Sequence, residues 1–361
     1  MRGMNEQQVD VFLAMTPGDF VPMDHPIRQI KQMVDGALNA LSPTFRAMYS
    51  KVGRRSVPPE HLLKGCLLMA FFTIRSERQF CERLQYDLLF KWFLDLNIGD
   101  RGFDHSTFSK NRLRLLEHAV ARQFFVEVLA EADRRQLLSE EHFTVDGTLL
   151  EAWASLKSFR PRDGSGAAPT EGGKDPLVDF HGEERLNETH VSTTDPQARL
   201  ARKGPGKEAK LCFAGHLLME NRRGMVVDVQ VTQATGTAER ETAVVMLAKK
   251  KRGRRLTVGA DRGYDTADFV AECRDLEITP HVAQHRNRRR SAIDGRTTRH
   301  VGYALSQRVR KRVEEIFGWM KTVGGGRKLR YLGVARNQLW AELVATAYNL
   351  VRMARPALYA A

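Results

Sequence analysis

Two aspartates stand where a site for divalent cations would need them. Asp146 follows an alternating segment at the predicted end of one strand, and Asp261 follows residues 256–260 at the predicted end of another. Alternation along each strand directs the carboxylate away from the large apolar side chains. An Asp beside a Gly at a strand end is commonly a turn former, so neither aspartate is specific when taken alone.

A third carboxylate lies on a predicted helix over residues 305–322. Apolar positions recur there at helical spacing, and Arg310, Glu314 and Lys321 follow the adjacent stripe. Glu315 lies farther from the apolar face, which makes Glu314 the better candidate. The simpler alternative is an exposed ion pair between Arg310 and Glu314, worth only about 0.3–0.5 kcal/mol.

Together the three acids define a specific chemistry. Asp146 and Asp261 on neighbouring strand ends, with Glu314 on a crossing helix, would supply hard oxygen ligands for two Mg²⁺ ions. Such a pair of ions activates a water or a 3′-hydroxyl and stabilises the leaving oxygen in phosphoryl transfer. We therefore expect a metal-dependent enzyme acting on phosphodiesters.

The charge of the chain points to a polyanionic partner. The 361 residues carry a formal net charge of +14. Residues 286–330 hold 14 Lys and Arg and three acids, so 11 of the 14 net positive charges fall in that block. This pattern favours nucleic acid over an acidic protein or an anionic membrane surface, with Arg308 and Arg312 as further candidate DNA contacts.

The apolar periodicity of the sequence changes near residue 139, from helical spacing to short alternating segments. Residues 1–138 are predicted to form a helical N-terminal domain that binds DNA. Residues 139–361 are predicted to form an α/β domain with a mixed sheet flanked by helices. Residues 157–209 are rich in Gly, Pro and charge, and are predicted to form a mobile insertion in that domain.

One helix of the N-terminal domain has a composition suited to a DNA groove. Residues 103–114 begin with capping residues and continue with hydroxyl, amide and basic side chains, among them Lys110 and Arg112. Both are candidates for contacts to DNA. An ordinary surface helix with a basic face is an equal alternative for this stretch.

Several classes of protein are disfavoured. No uncharged apolar run reaches the length of a membrane helix, and residues 1–10 lack the apolar core of a secretory signal. The four cysteines form no Cys-x-x-Cys pair and are predicted to be buried apolar fillers. We expect a cytoplasmic protein, associated with the nucleoid when bound to DNA.

Three blocks of the chain resemble the catalytic blocks of bacterial insertion-sequence DDE transposases of the IS-five group. They are Val-Asp-Gly-Thr at 145–148, Ala-Asp-Arg-Gly-Tyr-Asp at 260–265 and Arg-Lys-Arg-Val-Glu-Glu-Ile-Phe-Gly-Trp-Met-Lys at 310–321. The resemblance extends to residues 194–199, residues 347–352 and the helical N-terminal region. It implies an RNase H-like catalytic domain that cuts element ends and transfers the strand into target DNA.

Carried over by position, the resemblance assigns metal binding and catalysis to Asp146, Asp261 and Glu314. It places Arg310 and Lys321 near the scissile phosphate, and it puts Gln307 where the family's signature has a tyrosine. The implied cofactor is two Mg²⁺ ions, for which Mn²⁺ substitutes. The implied partners are double-stranded DNA, as terminal inverted repeats and target, and a second copy of the chain in a homodimer or higher assembly.

Two other functions remain open from the sequence. A stand-alone RNase H-like nuclease would cut DNA without joining it. A catalytically inactive DNA-binding regulator would keep the acids only for structure. Trp153, Trp319 and Tyr264 could stack on a displaced base, but packing is the commoner role of such residues and is the one expected for Trp153. His216 is expected to be a structural residue of a strand.

Overall fold

Seven α-helices lie in the described part of the N-terminal region, as the apolar periodicity predicts. The computed structural model describes residues 14–49, 52, 56–163, 185–204, 206–251, 253, 255–285 and 290–355. The helices are α1 (Ile27–Ala40), α2 (Ser42–Met48), α3 (Pro59–Phe71), α4 (Glu77–Tyr86), α5 (Leu88–Phe93), α6 (His105–Glu117) and α7 (Val120–Arg134).

Local sequence signals set the starts of these helices. Pro59 and Glu60 lie in the first turn of α3, where a proline sacrifices no hydrogen bond through its missing N–H. Asp104 caps α6, because its side chain accepts hydrogen bonds from the backbone N–H groups of Ser106 and Thr107. The predicted helical N-terminal region is thus confirmed.

The rest of the chain alternates strands and helices. The strands are β1 (His142–Glu151), β2 (Phe159–Pro161), β3 (His190–Ser192), β4 (Arg199–Ala201), β5 (Lys210–Glu220), β6 (Val226–Gln233), β7 (Leu256–Ala260) and β8 (Ile278–Val282). The helices are α8 (Ala238–Lys250), α9 (Ala267–Asp275), α10 (Gly295–Thr298), α11 (Val301–Val309), α12 (Val313–Lys321) and α13 (Val334–Met353). In the described ranges, no helix is long and apolar enough to cross a membrane.

The main sheet is mixed and has β1 near its centre. On one side β1 pairs antiparallel with β5, whose other edge takes β6 and the short β4. On the other side β1 runs parallel to β7, and β7 runs parallel to β8. An antiparallel hairpin, a central strand and two parallel strands joined through helices form the RNase H-like sheet that the resemblance implies, which confirms the predicted fold class.

The first strand is longer than predicted. The Asp146-Gly147 pair was expected to end it, but β1 continues to Glu151 and Gly147 lies opposite His216 within the sheet. Pairing between β1 and β7 covers only residues 142–144 of β1. Asp146 therefore lies just beyond the point where β1 loses its parallel neighbour, and the turn expected there is absent from the described chain.

The predicted insertion over residues 157–209 is partly structured. Strands β2 and β3 form a small antiparallel ribbon, and β4 extends the main sheet beside β5. Residues 164–184 and residue 205 lie outside the described residues, so the predicted mobility of the centre of this insertion stays a prediction.

The predicted helix over residues 305–322 consists of three pieces. Helices α11 and α12 are separated by one 3₁₀ turn formed by the cationic triplet Arg310–Arg312. From this turn Arg312 donates to the backbone carbonyls of Asn221 and Arg222 at 2.7 and 3.3 Å. The tighter turn thus places Arg312 against the connection between β5 and β6.

Helix α13 joins the two parts of the chain. It packs against β6 and α12 on the α/β side and against α3 and α7 on the N-terminal side. Residues from every face of α13, including Leu339, Val344 and Leu350, are buried. One hydrophobic core therefore includes both the N-terminal helices and the α/β part.

Arg112 lies in this shared core, which corrects the prediction that it contacts DNA. It is 6% exposed, its Nε lies 2.9 Å from Glu77 Oε1, and its guanidinium lies 4.2 Å from the centre of the Tyr331 ring. A guanidinium enclosed between two elements cannot reach a DNA surface. Lys110, two residues earlier on α6, is exposed and stays a candidate.

Replacing Arg112 tests this structural role. We expect Arg112→Ala to destabilise the protein by about 3 kcal/mol, because it removes the packing of the buried guanidinium and leaves the half-buried Glu77 carboxylate without its cation. The exposed neighbour Lys110→Ala should change stability by no more than about 0.5 kcal/mol. Urea unfolding of both variants measures the difference. A stable Arg112→Ala variant with weakened DNA binding would instead support the prediction that Arg112 contacts DNA.

Candidate active site

Asp146 lies on β1 where the strand extends beyond its pairing with β7. Its Oδ1 accepts a hydrogen bond from the backbone N–H of Gly147 at 2.8 Å. Burial raises the pKa of this carboxyl to about 7, and the nearby carboxylates of Asp261 and Glu239 add to the rise, while Arg310 opposes it. An acid that is hard to ionise within a group of acids is typical of a functional site.

Asp261 lies at the carboxyl end of β7, as predicted, and begins a 3₁₀ turn over Arg262–Tyr264. Its Oδ1 accepts a hydrogen bond from the backbone N–H of Gly263 at 2.7 Å. A Cβ at Gly263 would stand 3.0 Å from that same oxygen, so the glycine allows the close approach. The two carboxylates are close enough for the charge of Asp261 to raise the pKa of Asp146, although they lie 115 positions apart in the chain.

A glutamate that the sequence did not single out joins these aspartates. Glu239 lies in the first turn of α8, and its Oε1 would be 2.6 Å from a Cβ at Gly147. Burial raises the pKa of Glu239, and Asp261 raises it further. We call Asp146, Asp261 and Glu239 the carboxylate cluster. The one available signal was the glycine at 147 inside a strand, which marks a close approach to the backbone.

Glu314 lies in the first turn of α12 and is exposed. Two residues of its stripe face the sheet on either side of it. The charge of Arg310 lowers the pKa of Asp146, and Lys321 Nζ donates a hydrogen bond to Thr148 Oγ1 at 2.5 Å. Helical spacing therefore places Glu314 between two cations that flank β1.

The carboxylates approach one another without forming a finished metal shell. In the described ranges no three His, Cys, Asp or Glu side chains lie within reach of one shared metal ion. The structure supports the convergence of Asp146 and Asp261 and does not itself bring Glu314 into contact with them.

A buried hydroxyl fixes the helix that precedes these cations. Ser306 on α11 is 1% exposed, and its Oγ lies 2.7 Å from His281 Nδ1 and 2.5 Å from His142 Nε2. His281 belongs to β8 and His142 begins β1, so one serine holds α11 to two strands. Burial lowers the pKa of His281 to about 4. The neutral cluster positions α11, and with it the turn that carries Arg310.

A basic cleft opens beside the carboxylate cluster. Its volume is about 850 Å³, and Gly147, Thr148 and Glu239 line one end. Four cations also line it, namely Arg162, Arg199, Arg202 and Lys203. Lys203 is close enough to Lys321 to add to the lowering of its pKa, of which burial is the larger cause. The cleft therefore continues from the site as a positively charged path.

The other predicted residues differ in their exposure. Arg308 is exposed, whereas Tyr264 is 1% exposed and cannot stack on a base. Trp153, for which packing was the expected role, is instead 53% exposed. His216 is buried and pairs through Nε2 with Thr232 Oγ1 at 2.8 Å, as expected of a structural histidine. The four cysteines are buried as predicted.

The raised pKa of Asp146 predicts a pH-dependent stability of the metal-free protein. Because the folded-state pKa is about 7 and the ordinary value is 3.8, the stability linked to this group is complete below about pH 4 and declines as pH rises through 7. Asp146→Asn should therefore be more stable than the wild type by about 1–2 kcal/mol at pH 8.

Near pH 4 the two proteins should unfold together. Thermal unfolding in chelator at both pH values measures the difference, with the exposed Asp275→Asn as a control for the change itself. An Asp146→Asn variant with the wild-type pH profile would contradict the proposed electrostatic environment.

Comparison with known proteins identifies the chain. Residues 16–114 match the family described as a transposase domain (DUF772), and residues 187–350 match the family described as a transposase DDE domain. The second match includes Asp261 and Glu314 and begins after Asp146.

Solved transposase structures show remote similarity. The piggyBac transposase in a synaptic complex with hairpin DNA is 11% identical with a TM-score of 0.42, over 92% of this chain and 76% of that one. The Mos1 transposase in a paired-end complex with a left transposon end is 12% identical with a TM-score of 0.20, over 86% of this chain and 100% of that one. The identity rests on the two family matches, which together cover most of the sequence: the chain is a DDE transposase in which a DUF772 transposase domain precedes the DDE domain.

Proposed function

We propose that this transposase belongs to the IS-five group and uses Asp146, Asp261 and Glu314 to cut DNA at the ends of its element and to join the 3′-hydroxyl to target DNA. The observation that carries the proposal is the convergence of Asp146 and Asp261 at the carboxyl end of a parallel strand pair. Arg310 and Lys321, which match the same signature as Glu314, flank that point.

The carboxylate cluster suits a hard divalent cation. Its donors are all oxygens, and burial with like charge raises the pKa values of Asp146 and Glu239, an effect that a bound cation would reverse. We propose Mg²⁺, two ions in the site, with Mn²⁺ as a substitute. When bound, such ions activate a water or 3′-hydroxyl and stabilise the leaving oxygen.

The residues around the cluster would bind and orient DNA. Arg310 Nε donates to Gln307 Oε1 at 3.0 Å, and Gln307 Nε2 donates to the backbone carbonyl of His281 at 2.6 Å. Gln307, at the signature's tyrosine position, thus orients the guanidinium. An oriented guanidinium suits bidentate contact with a phosphate, whereas Lys321 supplies a point charge.

The basic cleft would bind the DNA backbone on the side of β4. Arg202 and Lys203 are exposed at its edge, and they continue the line of positive charge from Lys321. Because joining requires two element ends held together, we propose that a homodimer or a larger assembly forms on terminal repeats and target DNA.

Two alternative functions are distinguishable by assay. A stand-alone nuclease would cut paired end DNA without joining it, and an inactive regulator would bind DNA without cutting. The second alternative is disfavoured by the carboxylate cluster, since acids kept only for structure are normally paired with cations, whereas the net effect of its surroundings is to raise the pKa of Asp146.

Glu314→Gln tests the role of the helix carboxylate. We expect this variant to bind end DNA as the wild type does and to lose Mg²⁺-dependent cleavage at least 100-fold, because the exposed side chain makes no contribution to the core. Glu315→Gln is the matched control. Glu315 pairs with Arg352 at 3.1 Å, away from the proposed site, so its variant should cleave normally. Cleavage and strand transfer are measured on paired end DNA, and normal cleavage by Glu314→Gln would show that the carboxylate is misassigned.

The salt dependence of binding tests the cations. Arg310→Ala and Lys321→Ala should each lower the slope of log affinity against log salt by about one unit, and should also slow cleavage of bound DNA. The double variant Arg202→Ala with Lys203→Ala should lower the slope by about two units and leave cleavage of bound DNA unchanged.

Lys249→Ala provides the control, because Lys249 is exposed at the far end of α8. It should leave both measurements near wild type. Unchanged slopes and unchanged cleavage in Arg310→Ala and Lys321→Ala would remove the phosphate-binding role.

A further inference from the structure

We propose that the basic cleft is a binding site for unpaired nucleotides of a DNA strand, separate from the phosphate contacts assigned to Arg310 and Lys321. The proposal rests on the function proposed above and adds the form of DNA that this cleft accepts. It is carried by the size of the cleft, by its apolar floor and by two arginines that neutral groups hold in place.

The size of the cleft excludes a double helix. Its volume of about 850 Å³ lies within the range of about 300–1,000 Å³ that is typical of sites enclosing one small ligand. A nucleotide is such a ligand, whereas the major groove of a duplex alone is about 12 Å wide. A duplex can therefore touch the rim at Arg202 and Lys203, which are exposed, but only an unpaired nucleotide can enter.

The floor of the cleft is apolar and is formed by small side chains. Ala214 lies opposite Leu149 in the pairing of β5 with β1, so both side chains point to the same face of the sheet. Ala214 and Ala234 belong to one small hydrophobic cluster against which Leu149 packs. All three residues line the cleft, and they leave a surface on which the π-face of any base can lie.

Arg199 places a fixed guanidinium beside this floor. It lies opposite Cys212 in the pairing of β4 with β5, and Cys212 shares its face of β5 with Ala214. Arg199 Nε donates a hydrogen bond to Gln233 Oε1 at 3.0 Å, which leaves the two terminal nitrogens for an anion. A guanidinium held in this way presents a bidentate fork to a phosphate.

Arg162, one residue after β2, is fixed on the other wall of the cleft. Its Nη2 donates a hydrogen bond to the backbone carbonyl of Asn187 at 3.1 Å. The Asn187 side chain in turn pairs with both backbone groups of Leu200 on β4. Its Oδ1 accepts from the N–H at 2.8 Å and its Nδ2 donates to the carbonyl at 2.9 Å. One amide thus connects the two walls that carry the arginines.

The chain itself does not neutralise the positive charge of the cleft. Within the described ranges, no ion pair joins any of the four cations to an acid. Two acids also line the cleft, Glu188 and Glu239, so the cations exceed them by four to two. Burial raises the pKa of Glu239, which favours its neutral form. The phosphates of a bound strand would supply the missing negative charge.

One buried nitrogen of the cleft has no partner. His216 is 1% exposed and lines the cleft, and its Nε2 pairs with Thr232 Oγ1. Its Nδ1 has no hydrogen-bond partner in the part of the chain that the structure describes. An unpaired buried polar group costs about 1–3 kcal/mol. The edge of a base, which carries both donors and acceptors, would satisfy this nitrogen.

Two duplexes that differ in one feature test the proposal. Fluorescence anisotropy measures the Kd of the full chain, in chelator, for a blunt duplex and for the same duplex with a short single-stranded extension. We expect the extension to lower the Kd about tenfold, because its bases and phosphates occupy the cleft. Equal affinity for the two duplexes would overturn the proposal.

Variants of the cleft should remove this preference and leave binding of the blunt duplex unchanged. Ala214→Leu fills the floor, and Arg199→Gln removes the charge but keeps an amide. His216→Gln keeps a polar group near Thr232 and removes Nδ1, so it should reduce the preference by a smaller factor. Ala271→Leu, at an exposed position of α9, is the control for added bulk. Thermal unfolding checks that each variant folds, and folded variants that keep the full preference would contradict the proposed site.

A free dinucleotide separates two sources of the same ligand. The 5′-phosphorylated thymidine dinucleotide is added as a competitor to the extended duplex. Displacement only at concentrations far above that of the duplex would support a DNA strand as the ligand. Displacement at equal concentration would make a free nucleotide the ligand and would overturn the assignment to a strand.

The cleavage assay of Glu314→Gln separates this inference from the proposed function. If that variant loses cleavage while the wild type shows no preference for the extension, the proposed function stands and the inference about the cleft falls. If the wild type binds neither duplex, the proposed function falls as well.

Discussion

The mutual repulsion of Asp146, Asp261 and Glu239 is the constraint on which the catalytic part of the chain depends. These acids come from a strand, a turn and a helix, and the charge of Asp261 raises the pKa values of both Asp146 and Glu239. The sheet holds them in place because β1 continues past its pairing with β7 and carries Asp146 to the end of that strand. The packing of the surrounding core thus holds these carboxylates close together, although their proximity is electrostatically unfavourable until a cation binds.

The cations reach this point from a separate layer of the structure. Helix α11 is fixed to the sheet through Ser306 and two histidines, and the 3₁₀ turn after it brings Arg310 over the end of β7. The 3₁₀ turn and the buried Ser306 hydroxyl therefore determine where Arg310 lies relative to the carboxylates. A phosphate between the two layers would meet cations from the helix and acids from the sheet.

The sequence was informative wherever a side chain's role followed from its own segment. Asp261 and the basic stripe of Arg310 and Lys321 were predicted because strand ends and helical spacing are local properties. The approach of Glu239 to β1 was missed because it depends on the space left by Gly147, which only the packing of distant segments reveals. Arg112 was assigned wrongly for a related reason, since α6 has a basic composition but the face carrying Arg112 is covered by Glu77 and Tyr331. Local patterns predict which residues have suitable side chains for binding or catalysis, and tertiary packing decides which of those side chains can reach a ligand.

Helix α13 has a consequence for how such a chain evolves. Helix α13 packs against the N-terminal helices as well as against the sheet, so the two halves share one core. Dividing the polypeptide between the halves would therefore separate the N-terminal helices from a helix that completes their core. Recombination between relatives near residue 138 would pair N-terminal helices with an α13 shaped for different neighbours. Inheritance as one unit, with the N-terminal helices and the sheet domain changing in step, is the outcome that this packing favours.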